Sequence, residues 1–187
     1  MPEMIRSFIA FDLNNELVLQ NFKEIQGILR KTGADMKLVE PHNIHITIRF
    51  LGDTEPTMIE PINKAMKKVL FNAFNCEIRG LGVFPNMHYP RVVWAGIRKG
   101  ADELRNIFEQ LEPMLRQLGF RADSKGFSPH LTLARVKSGR NKFELCRSIQ
   151  NLTDFDFGFV KADCLRLKKS VLTPRGPIYS TLIEVCQ

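Results

Sequence analysis

Apolar and polar positions along the chain follow two different periods, and the switches between them mark out its elements. Residues 6–13, RSFIAFDL, have the aromatic and β-branched character of a strand. Asn14 or Asn15 can then cap a helix whose apolar face is Val18, Phe22, Ile25 and Leu29. A short apolar run, MKLV, precedes Pro41, and strict alternation returns from His45 to Gly52. Ile62, Ala65, Met66, Val69 and Leu70 next share a helical face, with Pro61 in its first turn. Two strand patterns, FNCEIRGLGVF and RVVWAGI, flank the turn-forming PNMHYP. Leu104, Ile107, Phe108, Leu111, Leu115 and Leu118 keep helical spacing up to Gly119, with Pro113 expected to bend the helix. The loop DSKGFSP leads to another alternating strand at SPHLTLARVK, and a helix is expected over Lys142 to Leu152. The remainder reads as strands with a hairpin turn at TPRGP.

One order of elements occurs twice: helix, proline-containing loop, strand carrying His-x-Thr, helix. The copies, NIHITIRFLGDT and SPHLTLARVKSG, lie 85 residues apart, too far for a solenoid repeat and suited to two halves of one domain. Side chains alternate across a strand, so His45, Thr47 and Arg49 are expected on one face and Ile44, Ile46, Ile48 and Phe50 on the other. In the second copy His130 and Thr132 share a face opposite Leu131 and Leu133. Arg135 is out of phase by the same rule, and joins them only if the strand bulges near Ala134.

A single His-x-Thr strand is ordinarily structural. Two of them packed about a pseudo-twofold axis would bring two imidazoles, two hydroxyls and at least one guanidinium into one cleft. An imidazole titrates near pH ~6.5, so one ring can act as a base while its partner, protonated, acts as an acid. Threonines and arginines suit the nonbridging oxygens of a phosphate, where charge accumulates in the transition state. The set therefore points to cleavage of a phosphodiester by His45 and His130, with Thr47, Thr132, Arg135 and Arg49 as candidate substrate contacts and no metal or other cofactor required.

Composition narrows the class. The 187 residues are 44% hydrophobic and 25% charged, sufficient for a real core. There are 27 Lys and Arg against 20 Asp and Glu, a net charge of +7 that favours a polyanionic partner such as nucleic acid. No run approaches the ~18 apolar residues that would suggest a membrane span, and the start, MPEMIRSFIAFDL, lacks the pattern of a leader peptide, so a cytoplasmic location is expected. Cys76, Cys146, Cys164 and Cys186 are scattered without a C-x-x-C pair, and are expected to be buried free thiols.

The two motifs resemble those of the 2H phosphoesterase superfamily, and the surrounding stretches RSFIAFDL, EPHNIHITIRFLGDT, PRVVWAGI, FSPHLTLARVK and LKKSVLTPRGPIYSTL resemble its branch of RNA 2′,3′-cyclic phosphodiesterases, also called 2′-5′ RNA ligases. The resemblance implies an α+β fold: a single bilobal domain over residues 1–187, each lobe an antiparallel sheet with helices outside, related by a pseudo-twofold axis with the active cleft between them. It implies that His45 donates a proton to the leaving 3′ oxygen and that His130 activates water, opening a 2′,3′-cyclic phosphate to a 2′-phosphate. Thr47 and Thr132 would hold the phosphate with help from Arg135. Substrates would be RNA with 2′,3′-cyclic phosphate ends or small cyclic nucleotides. A monomer suffices, because duplication already supplies the twofold relation. His42 is a departure, since relatives often carry an acidic residue before the Asn.

Three rival readings remain. A metal site at His42 and His45 fails on geometry, because an odd offset along a strand sends the two side chains to opposite faces. His88, in PNMHYP, reads as a surface loop residue, with a role in gripping substrate as the alternative. A non-catalytic module that holds an RNA end would fit the charge equally well, with Phe84, Tyr89, Trp94 or Phe127 stacking a base. The third reading is 2′-5′ ligation, the reverse reaction at the same site.

Overall fold

The computed structural model describes residues 3–187. Strand β1 (Ile5–Asp12) leads to helix α1 (Glu16–Lys31), the short β2 (Met36–Leu38) and β3 (His45–Thr54). Helix α2 (Ile59–Lys67), strands β4 (Phe74–Phe84) and β5 (Val92–Ile97) and helix α3 (Ala101–Gln117) follow. Then come β6 (His130–Val136), α4 (Lys142–Gln150), β7 (Asp156–Ala162), β8 (Cys164–Thr173) and β9 (Gly176–Cys186).

The helix boundaries follow local chemistry. Of the two candidate caps, Asn15 is used: its side chain accepts from the Val18 N–H at 3.2 Å, satisfying one of the free donors at the start of α1. The four apolar residues expected on α1 are fully buried, and Phe22 stacks on Phe157 of β7 with ring centroids 4.8 Å apart. Each such side chain contributes roughly 1.5–3 kcal/mol by leaving water. Helix α3 runs through Pro113 to Gln117. Helix α2 ends sooner than its apolar pattern suggests: Val69 is buried beyond it, but Leu70 is exposed.

The strands form two antiparallel sheets, ordered β3-β1-β8-β9 and β2-β6-β5-β4-β7. With β2 set aside the orders correspond, β6 standing for β3, β5 for β1, β4 for β8 and β7 for β9. Each sheet thus carries one His-x-Thr strand at the matching place. The lobes are not the two halves of the chain, however. Apart from β2, the first sheet is built from both ends of the sequence and the second from the middle, and with β2 the polypeptide passes from the first to the second and back twice. The helices cross over as well: α1 packs on β6, β7 and α4 of the second sheet, whereas α3 packs on β3 and α2 of the first. One apolar cluster, with residues from both sheets and all four helices, fills the interior.

The cysteines differ from expectation. Cys76 is a buried free thiol, and burial pushes its pKa up to about 12. Cys146 is also free, and its thiol donates to the Met87 carbonyl. Cys164 and Cys186, by contrast, are joined in a disulfide. They are register partners at the open end of the β8–β9 hairpin, with Cα atoms 4.0 Å apart. A separation of 22 residues hides a pairing that the hairpin makes direct.

Candidate active site

Both His-x-Thr strands bulge at the same point, and the two bulges decide which side chains enter the site. Across the β1–β3 ladder Ala10 faces Thr47 but Ile9 faces Arg49, leaving Ile48 as an extra residue. Across β5–β6 Trp94 faces Thr132 but Val93 faces Ala134, leaving Leu133 extra. The residues on either side of the phase change, Ile48 with Arg49 and Leu133 with Ala134, are buried together. Arg135 is thereby returned to the face of His130 and Thr132, as the sequence required of a bulged strand.

The same shift removes Arg49 from the face of His45 and Thr47, correcting the expectation from strict alternation. Arg49 is buried, and its Nε donates to Glu112 of α3 at 2.6 Å. Its other nitrogens donate to the backbone carbonyls of Phe50 and Arg121. The second Glu112 oxygen accepts the Asp123 N–H at 3.0 Å. Arg49 therefore ties β3 to α3 and to the loop before β6. The position matching Arg135 in the first motif is Phe50, 59% exposed.

The sheets meet where β3 and β6 run close together, with Cα atoms within 8 Å. His45 and His130 are oriented in the same way. Nδ1 of His45 donates to the Asn43 carbonyl at 2.7 Å, and Nδ1 of His130 donates to the Ser128 carbonyl at 2.7 Å. A carbonyl only accepts, so each Nδ1 carries a proton and each neutral ring keeps its free lone pair on Nε2. Aromatic neighbours fix the ring planes. His45 lies 4.8 Å from Phe8 and meets Tyr179 edge-on at 5.3 Å; His130 meets Phe84 edge-on at 4.9 Å.

Loss of hydration is the main influence on both imidazoles. It lowers His45 from its ordinary value to about 4, against the opposing pull of the Asn43 carbonyl and the Asp12 carboxylate; Lys168 and His130 add to the depression. His130 is also lowered by burial, opposed by the Ser128 carbonyl and reinforced by Arg135. Both shifts favour the neutral ring. Charge on His130 disfavours charge on His45, so the rings share one electrostatic environment, and an anion between them would raise both pKa values.

Sequence reasoning missed several participants. Alternation in RSFIAFDL places Phe8, Ala10 and Asp12 on one face, a signal that was available. Asp12 is held by Lys168 Nζ at 2.7 and 2.8 Å, and lies 3.6 Å from the Arg166 guanidinium, which also binds Glu184 at 2.6 Å. Tyr179 and Lys168 are brought in by the β8–β9 hairpin, which single-strand patterns do not reveal. His42 and His88 are exposed. Among the described residues the one His, Cys, Asp or Glu grouping compact enough for a metal ion is Cys164, Glu184 and Cys186, whose two sulfurs are bonded to each other.

Two matched antiparallel sheets, each carrying one His-x-Thr strand and meeting where those strands run close together, have the architecture of a 2H phosphoesterase. Over residues 7–185 the chain matches the family described as the AKAP7 2′5′ RNA ligase-like domain, and it belongs to that family. It is 44% identical over 161 residues to an RNA 2′,3′-cyclic phosphodiesterase of Aeropyrum pernix, covering 86% of this chain and 92% of the relative. The RNA 2′,3′-cyclic phosphodiesterase of Archaeoglobus fulgidus is 37% identical over 181 residues, covering 95% and 98%. Among solved structures, TT0787 of Thermus thermophilus superposes with a TM-score of 0.80 at 27% identity, covering 97% of each chain. E. coli LigT complexed with 3′-AMP shares the fold at a TM-score of 0.75 and 20% identity, with 98% of each chain covered. Among the described residues no helix is long and apolar enough to cross a membrane.

Proposed function

We propose that this chain is an RNA 2′,3′-cyclic phosphodiesterase that opens 2′,3′-cyclic phosphate ends to 2′-phosphomonoesters by paired acid and base catalysis at His45 and His130. Nε2 of His130 takes a proton from water as the water oxygen bonds to phosphorus. The bond from phosphorus to the 3′ oxygen breaks, and Nε2–H of His45 protonates the departing oxygen. Thr47, Thr132 and Arg135 bind the nonbridging oxygens, while Arg49 serves the fold. Each correctly placed proton-transfer group is worth roughly 10²- to 10⁴-fold in rate.

The observation that carries this reading is the matched anchoring of the imidazoles, each Nδ1 on a backbone carbonyl and each Nε2 without a hydrogen-bond partner among the described residues, within electrostatic reach of one another. The division of roles is the one implied by the family resemblance. Asp12 opposes the depression of His45 without overcoming burial, and Arg135 adds to the depression of His130. The phosphodiester anion supplies the remaining bias toward protonation once bound. A metal has no part in this scheme, and EDTA is expected to leave the rate unchanged.

Phosphorus NMR of the product from a 2′,3′-cyclic nucleotide tests the proposal. A 2′-monoester supports it, a 3′-monoester would exchange the acid and base assignments, and an unchanged substrate would leave only a module that holds RNA ends. Ligation of a 2′,3′-cyclic end to a 5′-hydroxyl is the reverse passage through the same arrangement, with the histidines exchanging roles. It would need the two ends held together to compete with water.

A further inference from the structure

Beyond the far end of β6 from His130 lies a cavity of about 220 Å³, lined by Tyr89, Arg91, Lys137, Ser138, Gly139 and Lys142 among others. Three of those side chains are cationic and none is acidic. Among the described residues, none of the three cations makes an ion pair, whereas Arg49, Arg79, Arg98, Arg105, Arg166 and Lys168 all do. Unneutralised positive charge concentrated in a concavity is the electrostatic signature of an anion site.

Two of the cations are also held in place. The Arg91 guanidinium lies over the Tyr89 ring, 4.4 Å from its centroid, and donates to the Tyr89 hydroxyl. Lys142 Nζ donates to the His88 carbonyl at 3.0 Å. Lys142 is also the first residue of α4, where the helix terminus adds partial positive charge. Ser138 supplies a hydroxyl, and Gly139 has nothing within 4 Å of where a Cβ would stand, which leaves the floor open to a ligand.

The cavity continues directly from the catalytic strand. Arg135 shares a face with His130 and Thr132, and Lys137 follows two residues later, roughly 7 Å further along the chain. From His130 to Lys137 the distance along the strand is roughly 20 Å, a span of a few nucleotides.

We propose that this cavity is a second phosphate site, which grips an internal phosphodiester of an RNA chain whose cyclic end lies between His45 and His130. The inference rests on the function proposed above and adds a preference for substrate length. A cyclic mononucleotide reaches only the histidines and Arg135, whereas an oligonucleotide reaches both sites.

Steady-state kinetics on a 2′,3′-cyclic mononucleotide and on oligoribonucleotides of two to six residues with the same cyclic end provide the test, together with binding of a fluorescent oligoribonucleotide that ends in a 3′-phosphate. The wild-type KM is expected to fall once the oligonucleotide is long enough to reach Lys137. Arg91→Ala and Lys137→Ala should each raise the oligonucleotide KM and Kd roughly tenfold and reduce the salt dependence of binding by about one charge, with kcat and all mononucleotide constants unchanged. A KM independent of length, or variants that affect both substrates equally, would overturn the inference. So would saturable binding of inorganic phosphate that these variants abolish while oligonucleotide affinity stays the same, since the cavity would then serve a free anion. Failure to hydrolyse any cyclic substrate would instead count against the proposed function, and oligonucleotide binding would still decide the fate of the second site.

Discussion

Asp12 stands directly opposite His45 in the β1–β3 ladder, and at the corresponding place opposite His130 in the β5–β6 ladder stands Gly96. The two otherwise matched imidazoles are therefore unequal in charge environment, one facing a carboxylate and the other a residue without a side chain. Asp12→Asn keeps the shape of the side chain but removes its charge, and it releases Lys168 to repel a protonated His45. Both changes make His45 harder to protonate. The expected result is a loss of roughly tenfold in kcat, with the limb of the pH profile that belongs to His45 displaced toward lower pH and the other limb in place. An unchanged profile would mean that Asp12 does no more than anchor Lys168.

For the unmodified protein, activity against pH should be bell-shaped, because one ring must be charged and the other neutral. Burial lowers both imidazoles in the free enzyme, so the maximum of kcat/KM should lie below pH ~6.5. The maximum of kcat should lie higher, since the bound anion favours protonation of both rings. His45→Ala and His130→Ala should each abolish turnover and leave the far-ultraviolet circular dichroism spectrum unchanged.

The same shifts make stability depend on pH. His45 titrates near 4 when folded and near ~6.5 when unfolded, so between these values the unfolded chain binds a proton that the native protein does not. The full contribution is present above pH ~6.5 and is lost as pH falls toward 4, by at most about 1.4 kcal/mol per pH unit, with His130 acting in the same direction. Urea unfolding at pH 7 and pH 5 measures the loss. His45→Gln should reduce the difference between the two conditions, and an equal difference in the variant would place the titrating group elsewhere.

The disulfide provides a further check, made without the site. Thiol titration of the unreduced, denatured protein should find two free cysteines, Cys76 and Cys146, and four after reduction. Closing a loop of 22 residues stabilises the fold by roughly 3 kcal/mol on chain-entropy grounds. Cys164→Ser should therefore lower the melting temperature by on the order of 5–10 °C. Cyclic phosphodiesterase activity should persist, because the bridge lies at the end of the hairpin remote from Tyr179.

What was legible in the sequence was whatever repeats within one element. The face of α1 follows from helical spacing, and His45, Thr47, His130 and Thr132 follow from a motif that occurs twice. Hidden features depended on the neighbouring strand. A bulge is a property of a ladder, so alternation alone placed Arg49 in the cleft and left Arg135 conditional. Tyr179, the cysteine bridge and the interleaving of the lobes all depend on which strands pair, and those partners lie far apart along the chain.

The two arginines that follow the motifs should accordingly respond in opposite ways. Arg49 is buried against Glu112, and removing one partner of such a pair leaves an uncompensated charge, at a cost of about 3–5 kcal/mol. Arg49→Ala should lower the melting temperature by on the order of 10 °C, and Glu112→Ala should do the same, with KM in the surviving folded enzyme close to that of the unmodified protein. Arg135 is exposed on the face of His130, where it acts on that ring without an ion-pair partner among the described residues. Arg135→Ala should leave the melting temperature within a degree or so and reduce kcat/KM roughly 10²-fold, while releasing His130 to protonate at a higher pH. Thermal unfolding and cyclic nucleotide hydrolysis measured on the same three preparations separate the roles. If Arg49→Ala reduced kcat/KM as far as Arg135→Ala with an unchanged melting temperature, the bulge at Ile48 would not set the side chains as described, and the guanidinium serving the phosphate would be Arg49.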